Sequence, residues 1–311
     1  MTRIETLKHR LSNKEIILLD GATGTELQRR GVRTELPLWS ASALITHPNV
    51  VQQIHKDYID AGADIITTNT FRTSRRALSL ADQSDKVVEY NRIACELAKA
   101  ARDSSDRNDV VIGGCIAPLE DCYKPNLVPH DEALEIEHAE HAVLLARYGA
   151  DFIFAETMNC IREGSAVLRA GKNTGLPVAI SIVCHDAEHL LSGEKIIDAI
   201  NAFVEFEPLF ICANCRPLKT IDGCVSTLLK YSNIPIGVYA NGLGHPHDEQ
   251  GWLFEGGDAM KEYIAYSVKW LEQGVQVIGG CCGTTPKYIA GIAKHLSKNI
   301  LFQKIRGDEC Y

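Results

Sequence analysis

The chain has 311 residues, 45% hydrophobic and 23% charged, with a formal net charge of −8. These are ordinary globular proportions, and an acidic balance without clustered Lys and Arg argues against a nucleic-acid surface. The charged opening MTRIETLKHRLSNKE has no signal-peptide core, and no apolar run reaches the roughly 18 residues that span a bilayer. A cytoplasmic protein acting on small molecules is expected, without nucleic-acid or membrane partners; a homo-oligomer is left open.

The first Val/Ile-rich run, 15–19 (EIILL), stops at Asp20-Gly21. A helical pattern at 47–61 and the phrase AGAD lead into a second run, 64–70, with Asn69-Thr70-Phe71 at its end. Helix 87–102, strand 110–117, the loop CIAPLEDCYKPNLVP (115–129) and helix 131–148 follow. Strand 151–156 ends on Glu156; helix 161–172, strand 177–183 and helix 194–204 come next. Strand 209–213 runs into Asn214-Cys215, and helix 218–230 leads to strand 236–240 with Asn241 after it. The loop NGLGHPHDEQGW (241–252), helix 258–273, strand 275–280 with Cys281-Cys282, and helix 286–297 complete the series.

The phrases AGAD, GAD and QGVQ place a glycine between a helix and the next strand, as an αβ loop requires. Eight alternating βα units without a linker read as an α/β protein, a (β/α)8 TIM barrel forming one domain over 1–311. An open doubly wound sheet is the alternative, but GATGTE after the first strand lacks its G-x-G-x-x-G fingerprint. Barrel enzymes keep their active sites at the carboxyl ends of the strands. Asp20, Gly21, Thr70, Glu156, Asn214, Asn241 and three cysteines would then converge on one mouth.

Eleven cysteines in a reducing compartment are free thiols for the most part, and helix-spaced ones such as Cys95 read as small buried hydrophobes. The stretch GGCCGTTP, 279–286, is different. Adjacent cysteines can be core residues, a vicinal disulfide or two ligands of one metal. With Cys215 they make three thiols, the number a catalytic zinc site uses while leaving a fourth position open. Cys212 completes CANC and would close the site, but it falls within the sixth strand and should point elsewhere. Three thiolates on Zn2+ leave a net charge of −1, and the ion would deprotonate an incoming substrate thiol. The chemistry expected is thiolate attack on an electrophilic carbon, with no protein residue as the base.

LLDGATGTEL, ITTNTF, ANC and above all GGCCGTTP resemble the homocysteine S-methyltransferase family over roughly residues 10–297. The resemblance implies a zinc-bound homocysteine thiolate that takes a methyl group from an onium donor, giving methionine. It implies Cys215, Cys281 and Cys282 as zinc ligands, and Asp20 with Gly21, and Glu156, as holders of the amino-acid end of homocysteine. Thr70, Asn214 and Asn241 complete the substrate-binding candidates. Asp20 could instead be a turn-former, and Glu156 a core acid paired with Lys or Arg.

Several features depart from the family pattern. Thr157 follows Glu156 where betaine-using members carry a Tyr that can reach the metal, which disfavours betaine as donor. The loops 115–129 and 241–252 should shape the donor pocket, with Tyr123 and Trp252 as candidate cation–π contacts and a loop histidine as an alternative ligand. The length leaves no room for folate or cobalamin domains. A free donor, S-methylmethionine or S-adenosylmethionine, is favoured, with a separate corrinoid protein or another thiol acceptor as alternatives. A phosphate-binding barrel isomerase or aldolase and a zinc or redox sensor are the readings from other classes.

Overall fold

The structure, a computed structural model, describes residues 1–242, 244–247, 251–253 and 259–307. Along the chain come α1 (Arg3–Ser12), β1 (Ile17–Leu18), α2 (Gly24–Arg29), α3 (Ala43–Thr46), α4 (Pro48–Asp60) and β2 (Ile65–Thr67). Next are α5 (Arg75–Ser79), α6 (Val87–Asp103), β3 (Val111–Ile116), α7 (Asp131–Tyr148), β4 (Phe152–Met158) and α8 (Ile161–Asn173). β5 (Val178–Ile182), α9 (Ile196–Val204), β6 (Ile211–Asn214), α10 (Leu218–Tyr231) and β7 (Ile236–Tyr239) follow. A hairpin of β8 (His245–His247) and β9 (Gly251–Leu253), then α11 (Ala259–Gln273), β10 (Val277–Ile278) and α12 (Pro286–Gly307) end the series.

Eight parallel strands pair in the order β1-β10-β7-β6-β5-β4-β3-β2, and a bridge between Leu19 and Ile65 brings the two ends together. The result is the expected barrel, ringed by helices. Inward residues from these strands pack into a filled interior, as the fold requires: Phe154 lies 5.5 Å from Phe210 and 5.9 Å from Tyr239 between ring centroids. Helix α1, read only for targeting signals in the sequence, covers the amino-terminal end, where Leu7 and Leu11 join the interior cluster.

The three repeated phrases do what their glycines suggest. Gly62, Gly149 and Gly274 have φ of 107°, 101° and 111°, left-handed values that a side chain would strain. The aspartates behind two of them clip neighbouring strands: Asp64 accepts from Leu18 N at 2.9 Å, and Asp151 from Ile112 N at 2.8 Å. Pro286 opens α12 at its first position, where a missing N–H costs nothing.

The loop 241–252 contains the hairpin rather than plain coil, although Leu243 and residues 248–250 lie outside the described residues, as does position 258 of the expected helix 258–273. Among the described residues, no helix is long and apolar enough to cross a membrane.

Candidate active site

The carboxyl ends of the strands meet around a cavity of about 230 Å3. One wall carries Cys215, Cys281 and Cys282, whose sulfurs all lie within 4.8 Å of one another. Cys215 follows β6 at φ 55°, an uncommon conformation for a non-glycine residue that costs about 1–3 kcal/mol and collects at functional sites. Its N–H donates to Tyr239 O at 3.3 Å, and Asn241 N to Arg216 O at 2.9 Å, so the β6 and β7 ends hold the turn together.

The Cys281-Cys282 loop is tied on both sides. Cys281 N donates to Ala240 O at 2.8 Å, Gly242 N to Cys282 O at 2.7 Å and Gly280 N to Asp20 O at 2.9 Å. Gly283 N donates to Thr25 Oγ1 at 3.0 Å. A Cβ on Gly280 would stand 2.3 Å from Thr284 Oγ1, so the second glycine of the motif is what lets the loop close. Within the cluster the Cys281 thiol, then that of Cys282, donates toward Cys215 and holds it well below the usual thiol range. The other two thiols are held well above it.

Two buried carboxylates line the same cavity. Asp20 is 2% exposed; Thr67 N donates to its Oδ2 at 2.8 Å, so the carboxylate clips β1 to β2 while lining the cavity. Burial, and then the charge of Glu156, push Asp20 well above the usual carboxyl range. Glu156 accepts from the Cys115 thiol at 2.7 Å, and burial pushes it up to about 7. Among the described residues no Lys or Arg lies within 4.0 Å of Glu156, so it is not the arginine- or lysine-paired core acid the sequence also allowed. Beside it, β4 bulges against β5 between Ala155 and Met158, with Thr157 at φ 64°.

The remaining candidates sit less directly. Gly21 lines the cavity, and a Cβ there would stand 2.7 Å from Tyr58 Oη. Thr70, Asn214 and Asn241 do not line it. Thr70 donates to Cys115 O at 2.6 Å, and Asn214 Nδ2 to Thr157 Oγ1 at 2.8 Å, so both brace strand ends. Asn241 is buried, with its Oδ1 unpartnered. Tyr123 and Trp252 both line the cavity, and the Tyr123 hydroxyl lies 3.0 Å from Cys215 Sγ. Cys212 is buried in the barrel interior outside the thiol cluster, which contains no histidine among the described residues.

The homocysteine S-methyltransferase family model matches residues 17–296. The chain belongs to the homocysteine S-methyltransferase family. It is 31% identical over 309 residues to the homocysteine S-methyltransferase YbgG of Bacillus subtilis, covering 92% of this chain and 96% of the relative. It is 30% identical to the selenocysteine Se-methyltransferase of Brassica oleracea var. italica, covering 92% and 90%. The metallated form of the homocysteine methyltransferase MmuM from Escherichia coli superposes with a TM-score of 0.80 at 25% identity, covering 93% and 99%. The chain is therefore an enzyme of the homocysteine S-methyltransferase class.

For a homocysteine S-methyltransferase, the donor set suits a thiophilic ion. Tetrahedral zinc with Zn–S near 2.3 Å separates its sulfurs by roughly 3.8 Å, and the three here already lie within 4.8 Å. Sequence reasoning missed further lining residues: Cys115 and Cys122, Thr67, Ser40 with Trp39, and Arg72. Cys115 could have been found as the residue two places before the apolar end of the third run. Thr67 closes β2 within the second run, and the others lie between the regular strands and helices with no periodic signal.

Proposed function

We propose that this enzyme transfers a methyl group from a sulfonium donor, S-methylmethionine or S-adenosylmethionine, to homocysteine, giving methionine, with zinc at Cys215, Cys281 and Cys282. The carrying observation is that three clustered thiols and two buried carboxylates line one cavity. Zinc bound there would supply a way to hold the homocysteine sulfur as a thiolate at neutral pH.

The chain's own residues supply position. Glu156, with the lone pairs of Asp20 that Thr67 leaves open, accepts the ammonium of homocysteine in charge-assisted hydrogen bonds. The sulfur is thereby directed to the thiol wall. In the transfer, a sulfur lone pair forms the new S–CH3 bond while the donor's C–S bond breaks and its electron pair returns to the donor sulfur. A thiolate and a sulfonium become two neutral thioethers, so no proton transfer accompanies the step and no residue needs to act as a base. Tyr123 and Trp252 line the donor side, where aromatic faces favour a sulfonium. Membership of the family favours this reading over a phosphate-binding barrel or a redox sensor.

Metal analysis tests the ligand set. Reduced wild-type protein should carry about one zinc per chain, and Cys215→Ala, Cys281→Ala and Cys282→Ala should each lose tight binding while Cys212→Ala keeps it. Loss of metal from Cys212→Ala equal to the others would replace the open site by a closed four-cysteine one.

A further inference from the structure

The segment FRTSRR, 71–76, holds three arginines just past β2. Arg75 pairs with Glu140 at 2.6 Å, and Arg76 with Glu120 at 2.9 Å and with Glu137. Arg72 does neither. It is half-buried, lines the cavity and has no carboxylate within 4.0 Å among the described residues; its guanidinium lies 5.8 Å from the Phe71 ring centroid. A cation facing a cavity whose inner end is acidic is a recognition element in search of an anion.

The turn that carries it is held on both sides. Thr70 Oγ1 donates to Cys115 O at 2.6 Å, and the Thr73 hydroxyl lies 2.8 Å from Asn91 Oδ1 and 3.1 Å from Thr70 O. Asn91 Nδ2 donates in return to Thr73 O at 3.0 Å, and Ser74 caps α5 through Ala77 N at 3.2 Å. The backbone on either side of Arg72 is therefore fixed before any ligand arrives, which lowers the ordering cost of binding.

Depth assigns the ligand. Glu156 lies within β4 and Asp20 two residues beyond β1, whereas Arg72 follows the Thr67 end of β2 by five residues of loop. A homocysteine seated against the thiols and the two carboxylates fills the inner end. We propose that Arg72 takes the carboxylate of the second substrate, so that the enzyme selects onium donors whose methyl-bearing cation is tethered to a carboxylate. This rests on the reading of the site as a methyl-transfer centre. A guanidinium offers two parallel N–H donors to a carboxylate and fixes its orientation as well as its place. The aromatic lining takes the cation, Arg72 the anion, and the methyl group is aimed between them at the homocysteine sulfur.

The test compares Arg72→Gln and Arg72→Lys with wild type on S-methylmethionine and on trimethylsulfonium, which has no carboxylate. Arg72→Gln should lower kcat/KM for S-methylmethionine about 10–100-fold, mostly through KM, as loss of a charged hydrogen bond does. The trimethylsulfonium rate, the homocysteine KM and the zinc content should not move, and Arg72→Lys should fall between. Equal losses on both donors, a shift confined to the homocysteine KM, or no change would each overturn the assignment. Calorimetry with S-methylmethionine and its carboxamide, without homocysteine, reads the same contact without turnover. Wild type should prefer the carboxylate and Arg72→Gln should not; a wild type that binds both equally refutes the proposal. Failure of every donor to turn over while that preference persists would instead count against the methyl-transfer reading alone.

Discussion

At the scale of single residues, the site works by placing charges where their partner must arrive. Glu156 is held up to about 7 by burial, so near neutral pH the empty site is poised between its acid and its anion. An ammonium can use only the anion. As pH falls below about 7, homocysteine must first displace the proton, and its affinity should drop by up to about tenfold per pH unit from this group alone. Glu156→Gln keeps the shape and removes the charge. It should weaken homocysteine binding at pH 8 by about 1.5–3 kcal/mol and remove that share of the pH dependence, leaving the parts due to Asp20 and to ionisation of the substrate thiol. Binding curves for both proteins between pH 6 and 8 check this; parallel pH profiles would place Glu156 outside the ammonium contact. Asp20 makes a less clean probe, because Thr67 N already holds it at 2.8 Å and its removal would loosen the β1–β2 seam.

At the scale of elements, the eight strands and their helices are legible because a buried parallel strand is a short Val/Ile run and a covering helix is amphipathic. The glycines of AGAD, GAD and QGVQ fix where one passes into the other. What the sequence hid lies between elements. FRTSRR carries no periodic signal, and nothing in it tells that Arg75 and Arg76 turn to α7 and Glu120 while Arg72 lines the cavity. Thr70 looks like a mouth residue and is a brace. Glu163 looks like a first-turn helix acid, yet it is fully buried: Leu119 N donates to its Oε1 at 2.8 Å, and His138 Nε2 lies 3.1 Å from the same atom. Asn159 Nδ2 donates to Cys122 O at 3.1 Å, so two residues at the start of α8 and just before it moor the loop that carries Tyr123. Glu163→Ala would strand a buried N–H and a buried imidazole together. It should cost about 2–4 kcal/mol of stability by urea unfolding and raise the donor KM as Tyr123 loosens, with zinc content unchanged. Loss of zinc instead would mean the loop supports the metal wall itself.

At the scale of the whole molecule, the barrel explains how residues from 20 to 282 come to share one cavity of about 230 Å3. Its lower end is closed by α1 and its interior filled by aromatic rings, so substrates have access only where the strands end. The Cys281-Cys282 loop, the end of β6 and the segment after β1 are linked by backbone hydrogen bonds around the closing strands, which makes the thiol cluster a property of closure rather than of any one element. The central claim is direct methyl transfer between two small molecules in that space. Zinc-loaded protein given homocysteine carrying 13C in its carbon chain and S-methylmethionine with deuterated methyl groups should release methionine bearing both labels, read by mass spectrometry. Absence of doubly labelled methionine with this donor and with methyl-labelled S-adenosylmethionine, from protein that holds its zinc, would contradict the account; its formation only when a methylated corrinoid protein is supplied would move the donor from a sulfonium to a protein.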